Sequence, residues 1–278
     1  MSVATALSIA GSDSGGGAGI QADLLTFAAF GVHGCSAITA LTAQSTRAVT
    51  GVELVAPAFV EQQIETVLAD IEVHAVKTGM LATAPIIEAV RRALARHPEL
   101  PLVLDPVMVA ESGARLLAPD AIASLVTMFP RARLVTPNLP ELEAILGRLP
   151  EAVEDMVEAG RALQALGAQA VLVKGGHRVG DPTDVLLDGP RAPLVMSGPR
   201  IATTATHGTG CTYASAITAG LALGQPLEAA VASAHDYLAQ AIAAAAAAPR
   251  IGGGKGPVQH FHQSIPWKPG ARRHNGVT

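Results

Sequence analysis

The stretch ALSIAGSDSGGGAGIQADLLTFAAF, residues 6–30, reads as a short apolar run, a glycine-rich loop and a helix. The run ALSIAGS lacks the polar alternation of a half-exposed strand and predicts a strand buried on both faces. Ile20–Phe30 follows as a helix, with Leu24, Phe27 and Ala28 at i, i+3 and i+4, the spacing of a helix packed on a sheet. The same order recurs along the chain. HAVKTG, PLVLDPV, RLVTPN and AVLVKGG are further short strands ending in polar or glycine residues, and helices are predicted over Pro57–Asp70, Ala84–His97, Pro119–Phe129 and Val153–Leu166. Such alternation predicts an α/β fold with a mostly parallel central sheet and helices on both faces.

Two segments interrupt it. Gly34–Val55 is rich in Thr and Val without helical period and predicts one or two strands; Asp184–Ile201 predicts a hairpin turning at Asp188-Gly189. Two helices then follow with no strand between, Gly208–Leu223 and Pro226–Ala247, with Pro226 suited to a first turn. The segment from Gly252 is loop-like. No repeat or linker divides residues 1–278, which read as a single domain.

Composition narrows the function classes. With 278 residues, 49% of them hydrophobic, the chain can bury a core without disulfides or a structural metal. A net charge of -4 argues against nucleic acid, and 3% aromatic content against a stacking platform for single strands. Cys35 and Cys211, the two cysteines, form no CxxC, and the first residues lack the basic flank of a signal peptide. The longest apolar stretch, Ala239–Ala248, is too short to span a bilayer. These features predict a reducing, cytoplasmic setting with neither a membrane nor a nucleic-acid partner.

In open parallel sheets ligands bind beyond the carboxyl ends of the strands. That rule gathers the loop after the first strand with Lys77–Met80, Asp105–Met108, Thr136–Glu141 and Lys174–His177. It also gives meaning to TTATHGTGCTYAS, Thr203–Ser215, where Gly208, Thr209 and Gly210 lead into a helix whose first turn holds Cys211. Free backbone N–H groups and the helix dipole make that end an anion site. The same field is expected to lower the thiol's pKa, making Cys211 a candidate base for a substrate hydroxyl; the alternative is a small side chain packed under the loop. Asn138 and Glu141 are spaced either for helix capping or, through Glu141, for water-mediated Mg2+ binding. Asp105, before a proline, suits a turn. Lys174 ends a buried strand and needs an anionic partner, such as an ATP phosphate. Asp23 and Gln44 read equally as site residues or as a surface acid and a turn amide. Two other glycine runs fail as nucleotide motifs: Gly252–Pro257 has no Ser/Thr after its lysine and no following helix, and Gly15–Gly19 does not complete GxGxxG.

Taken in order, IAGSDSGGGAGIQADLLTFAAFGVHG, ITALTAQ, VKTGML, LVLDPVMVAESG, TPNLPELE, VLVKGGH and HGTGCTYASAI resemble the ribokinase-type small-molecule kinases. They are closer still to the hydroxymethylpyrimidine/phosphomethylpyrimidine kinases of thiamine biosynthesis, over Ile9 to His262. The resemblance implies a ribokinase-like fold with a small β flap, ATP and Mg2+, and a homodimer. It implies phosphorylation of 4-amino-5-hydroxymethyl-2-methylpyrimidine and then of its monophosphate. By the same resemblance Cys211 is the base beside the Gly208–Gly210 anion hole, and Gln44 holds the pyrimidine edge. Asp23 lies near the reacting end; Gly11, Met80 and Val107 line the ring pocket. Lys174, Asn138 and Thr209 meet ATP, and Asp105 and Glu141 lie near the metal. Glu111, Ala114 and Lys255 depart from the family pattern. A pyridoxal kinase of the same fold and a non-catalytic nucleotide-binding module are the competing readings.

Overall fold

The computed structural model describes residues 2–176, 178 and 180–265. Within them the strands β1 (Thr5–Asp13), β2 (His33–Gln44), β3 (Val49–Leu54), β4 (Ala75–Thr78), β5 (Leu102–Leu104), β6 (Leu134–Val135), β7 (Ala170–Val173), β8 (Thr183–Asp188) and β9 (Leu194–Ser197) form one sheet. Its order is β3-β2-β1-β4-β5-β6-β7-β8-β9. The six strands β2, β1, β4, β5, β6 and β7 are mutually parallel; β3 pairs antiparallel with β2 at one edge, and at the other β8 pairs antiparallel with β7 and β9 with β8. The strands that read as continuous apolar runs are the central ones, and β4, β5, β6 and β7 are buried at every residue. The Thr/Val-rich segment supplies two strands. The second, β3, is almost wholly exposed, in keeping with the expected flap.

Helices cover both faces. One carries α2 (Pro57–Asp70), α3 (Ala84–Leu94), α4 (Ile122–Val126), α5 (Leu139–Leu146) and α6 (Val153–Ala165), whose Ile64, Ile87, Leu125, Leu142 and Leu163 join a single core with β1, β4 and β5. The other carries α1 (Gly19–Ala29), α7 (Thr209–Ala222) and α8 (Leu227–Ala247). The predicted helix at Pro119–Phe129 is instead a 3-10 turn, Pro119–Ala121, running into the short α4; a second 3-10 turn begins at Phe129 and contains Pro130, whose ring cannot continue a helix. In α1 the buried face runs through Ala22, Asp23, Thr26 and Phe27, while Ala28 is exposed. The expected apolar stripe is displaced because the helix buries a carboxylate toward the sheet.

α7 is the helix that organises the site. Ten of its fourteen residues are buried, most of them Ala, Ser, Thr or Gly, so its neighbours approach closely. A Cβ on Gly220 would lie 2.8 Å from Ala230 Cβ of α8. The helix packs on β1, β4 and β5 and against α1. Chain order turns around between β1 and β4, one connection going to β2 on one side and the next to β4 on the other. The α7 N-terminus therefore belongs to the crevice where ligands bind in open α/β sheets.

Val258–Phe261 returns across this helix. The His260 ring contacts Thr212 Oγ1 at 3.1 Å, and Tyr237 Oη donates to the His260 carbonyl at 2.7 Å. Burial, with a smaller contribution from His262, pushes the His260 imidazole down to about 4. The unfolded chain therefore binds the extra proton first, and stability falls as pH drops from about 6.5 toward 4. Replacement His260→Gln is expected to reduce this acid loss, measured as a shallower fall of Tm from pH 7 to pH 4.5 than in the wild type. Equal slopes would remove His260 from the acid response.

Candidate active site

The site is built from the loop ends of β1, β4, β5, β6 and β7 and the first turn of α7. At the end of β1, the Asp13 carboxylate accepts from the backbone N–H groups of Gly15 (2.8 Å), Gly17 (3.0 Å) and Ala18 (2.9 Å). It also lies 2.8 Å from His207 Nε2. Burial alone would raise Asp13, but His207 and the loop amides hold it below its ordinary value. One carboxylate thus ties the first glycine loop to the loop that enters α7. The fit between the two loops is too tight for side chains. Gly208, with φ +78, is the α7 N-cap, and a Cβ there would run into the Gly17 carbonyl oxygen. No side chain caps α7; Thr209 N–H bonds the Thr206 carbonyl at 3.3 Å, while the Gly210 and Cys211 amides have no partner among the described residues and remain available to an anion.

A cavity of about 350 Å³ opens over this turn. Of the residues expected at the site, Gly11, Gln44, Met80, Val107, Asp105, Asn138, Lys174, Gly208, Thr209, Gly210 and Cys211 all line it. Gly11 leaves room for Met80, whose Sδ would lie 2.9 Å from a Cβ at that position. Gln44 accepts at Oε1 from Thr42 Oγ1, and its Nε2 lies 3.3 Å from His207 Nε2. Away from this end the wall is apolar, with Pro182, Pro199, Ile201, Leu238 and Ile242.

Two expected residues do not line the cavity. Asp23 is completely buried beneath it, paired with Lys77 and accepting from Ser8 Oγ (2.5 Å) and Ser215 Oγ (2.7 Å), so the expectation that it meets substrate is corrected. Glu141 is buried in a capping box, its Oε2 accepting from Asn138 N–H while Asn138 Oδ1 accepts from Glu141 N–H. Burial pushes Glu141 up to about 7, opposed by Lys174 and reinforced by Asp105. The capping and site readings of this pair therefore meet: the box holds Asn138 on the cavity wall.

The buried lysine at the end of β7 has its anionic partner within the protein. Lys174 Nζ donates to Asp105 Oδ1 at 2.7 Å, and Thr136 Oγ1 donates to the same oxygen at 2.8 Å. Asp105 Oδ2 is left facing Gly210, 3.9 Å from where a Cβ would stand. Among the described residues no three His, Cys, Asp or Glu side chains cluster as a closed metal cage. One free carboxylate oxygen beside the anion turn fits a Mg2+ ion that keeps most of its water, with Glu141 reaching it only through water.

Cys211 differs from its expectation. It is half-buried, and burial pushes the thiol up to about 11; Lys77 and the Gly19 amide pull it down, while Asp23 and Asp105 push it up. Desolvation of the thiolate outweighs the field of the helix end. Sequence patterning also does not single out Asp13, His207 or Lys77, although a lysine inside an otherwise apolar strand is a signal for the last. Two departures from the family pattern pair with each other: Lys255 Nζ donates to Glu111 Oε1 at 2.6 Å, and Thr206 Oγ1 donates to the same oxygen at 3.2 Å. His177 lies outside the described residues.

Comparison with known proteins agrees with this geometry. The chain is 51% identical to a hydroxymethylpyrimidine/phosphomethylpyrimidine kinase of Rhizobium meliloti, covering 94% of this chain and 98% of the relative. A crystal structure of phosphomethylpyrimidine kinase from Clostridium difficile superimposes with a TM-score of 0.77 at 42% identity, over 87% of this chain and 100% of that one. An ADP complex of Bacillus subtilis pyridoxal kinase gives 0.85 at 36% identity, over 93% and 98%. The fold is ribokinase-like. Residues 13–259 match the family described as phosphomethylpyrimidine kinase, and the ordered loops around Cys211 thus have their explanation: the chain belongs to that family.

Proposed function

We propose that this chain is an ATP- and Mg2+-dependent kinase that phosphorylates 4-amino-5-hydroxymethyl-2-methylpyrimidine and then its monophosphate, in thiamine biosynthesis. The observation that carries the reading is the meeting, in one cavity, of a helix N-terminus without a side-chain cap, a thiol in its first turn and the Gln44 amide. The 51% identity to a kinase named for these two substrates supports the pyrimidine, and the ADP complex of a structural neighbour supports the nucleotide. A homodimer belongs to the same reading, supported by exposed Val52 and Leu54 on β3.

Phosphoryl transfer is catalysed mainly by alignment and charge stabilisation. Gln44 would hydrogen-bond the ring edge while Gly11, Met80 and Val107 pack its faces, which directs the hydroxymethyl group toward Cys211. The Cys211 thiolate takes the hydroxyl proton, becoming the thiol, as that oxygen forms a bond to the γ-phosphorus and the bond from phosphorus to the ADP oxygen breaks. The Gly208–Gly210 amides hold the charge spread over the transferring oxygens. Lys174, kept charged by Asp105 and Glu141 against the effect of burial, faces the nucleotide phosphates with Asn138 and Thr209. Bound Mg2+, held by Asp105 and through water by Glu141, would supply further neutralisation of phosphate charge.

The direct experiment offers hydroxymethylpyrimidine, its monophosphate and pyridoxal in parallel with ATP and Mg2+, with products read by mass. Turnover of both pyrimidines is expected; turnover of pyridoxal alone would overturn the substrate, and ATP binding without turnover would favour a non-catalytic module. Cys211→Ala is expected to lower kcat by about 10²–10⁴, the range for a positioned base, with ATP affinity retained. Because burial pushes the thiol up to about 11, wild-type kcat should climb as pH rises above neutrality, and this climb should vanish in Cys211→Ala. A wild-type rate in that variant would remove the thiol from the chemistry. Gln44→Ala should raise the pyrimidine KM about tenfold, the value of one or two hydrogen bonds, and leave kcat nearly intact; an unchanged KM would assign ring recognition elsewhere.

A further inference from the structure

Two features of the sequence have no part in the proposed mechanism: the glycine run Gly252–Pro257 and the pair Glu111 and Lys255. The structure joins them. Gly252, Gly253 and Gly254 lie flat on the loop that follows β2, where a Cβ on Gly252 or Gly254 would run into Thr46 and one on Gly253 into Arg47. Gly254 N–H donates to Thr46 Oγ1 at 3.1 Å, and Lys255 N–H donates to the Thr46 carbonyl at 2.9 Å. Gly256 N–H then donates to the Thr204 carbonyl at 3.1 Å, and the Gly256 carbonyl accepts from His207 N–H at 2.9 Å. The backbone of Lys255 is thus held on both sides, between the β2 loop and the loop entering α7.

Glu111 reaches Lys255 from a third loop. Met108–Leu116 folds back on itself, with Ala110 N–H donating to the Ala114 carbonyl at 2.7 Å, Leu116 N–H to the Met108 carbonyl at 2.8 Å, and Gly113 turning at φ +88. From this turn Glu111 Oε1 accepts from both Lys255 Nζ and Thr206 Oγ1. The contact stands between two cavities, the one of about 350 Å³ over α7 and a second of about 320 Å³ beside it. Gln44, Glu111 and His207 line both, whereas Lys255 lines the second alone. Apart from Gly254, every residue lining the second cavity is polar or charged. The side chains of Lys255 and Glu111 are 53% and 29% exposed, and an ion pair in such contact with water adds little stability. Stability therefore does not account for three loops converging on it.

We propose that the Glu111–Lys255 pair is a specificity-determining partition, which closes the substrate cavity beside Gln44 and excludes pyrimidines whose C2 substituent is longer than methyl. The inference rests on the pyrimidine reading above. In that reading C5 carries the hydroxymethyl group toward Cys211, so the opposite ring carbon, C2, points away from the thiol. The ring nitrogen beside C2 belongs to the edge held by Gln44, and a longer chain on C2 meets Glu111. Removing either partner of the ion pair opens a polar passage into the second cavity, which suits a chain ending in a hydroxyl group.

The test compares hydroxymethylpyrimidine with an analogue carrying 3-hydroxypropyl in place of the 2-methyl group, using the full chain with ATP and Mg2+. The wild type is expected to favour the methyl compound at least about tenfold in kcat/KM, the order of discrimination that a closed pocket wall provides. Glu111→Ala and Lys255→Ala should each reduce that preference about tenfold. The change should come through a lower KM for the analogue rather than a higher kcat, because the partition touches no reacting atom. The reversed pair, Glu111→Lys with Lys255→Glu, should restore the preference, which a general loss of packing would not allow. Tm should move by no more than about 4 °C in any variant. Calorimetric Kd values for both pyrimidines, taken without nucleotide, repeat the comparison independently of turnover. An unchanged preference in folded single variants, or a wild type that accepts both compounds equally, would overturn the partition. A wild type that binds the two compounds with the expected preference but phosphorylates neither would keep the partition and refute the assigned activity; one that binds neither would overturn both.

Discussion

The site depends on a contact between two loops with almost no side chains. Asp13 gathers three backbone amides of the first glycine loop and, through His207, grips the loop that enters α7. Gly208 turns the chain into the helix at a positive φ, pressed so closely on Gly17 that any larger residue would collide. This close approach brings the free amides of α7 over the carboxyl ends of β1, β4 and β5. A longer side chain at Gly17 or Gly208 would push the helix end away from the first glycine loop. Backbone alignment therefore comes before any choice of catalytic residue.

Charge is arranged in matched pairs beneath that turn. Lys77 is balanced by Asp23 and Lys174 by Asp105, each with hydroxyl groups completing the carboxylate's hydrogen bonds. Paired in this way, buried charges remain ionised at moderate cost, whereas an isolated one would neutralise. Cys211 lacks such a dedicated partner at hydrogen-bond distance among the described residues. Burial pushes its thiol up to about 11.

Much of the fold is legible in the residues because central parallel strands must be apolar on both faces. ALSIAGS, HAVKTG and AVLVKGG announce β1, β4 and β7 without ambiguity, and the turn signal at Asp188-Gly189 marks the β8–β9 pair. The α7 anion turn is legible for a similar reason, since Gly208-Thr209-Gly210 before a helix has a direct physical meaning. Long-range pairings are not. Asp23 and Lys77 are 54 residues apart, and neither spacing nor periodicity reveals that a helix acid serves a strand lysine rather than a substrate. The same holds for Glu111 with Lys255, two departures from the family pattern that make sense only once they face each other. Local sequence overstates the acidity of Cys211 because the helix field is local, whereas burial is set by the whole fold.

The most direct measurement is a crystal structure with ADP, Mg2+, a planar phosphoryl mimic such as aluminium fluoride, and hydroxymethylpyrimidine bound together. The expected result places the mimic's equatorial ligands about 3 Å from the Gly208–Gly210 amides, with the pyrimidine hydroxyl oxygen in line with it and within hydrogen-bond reach of Cys211 Sγ. A mimic bound away from the α7 N-terminus, or a hydroxyl oriented toward another base with Cys211 turned aside, would contradict the anion-hole and thiol chemistry proposed for this chain.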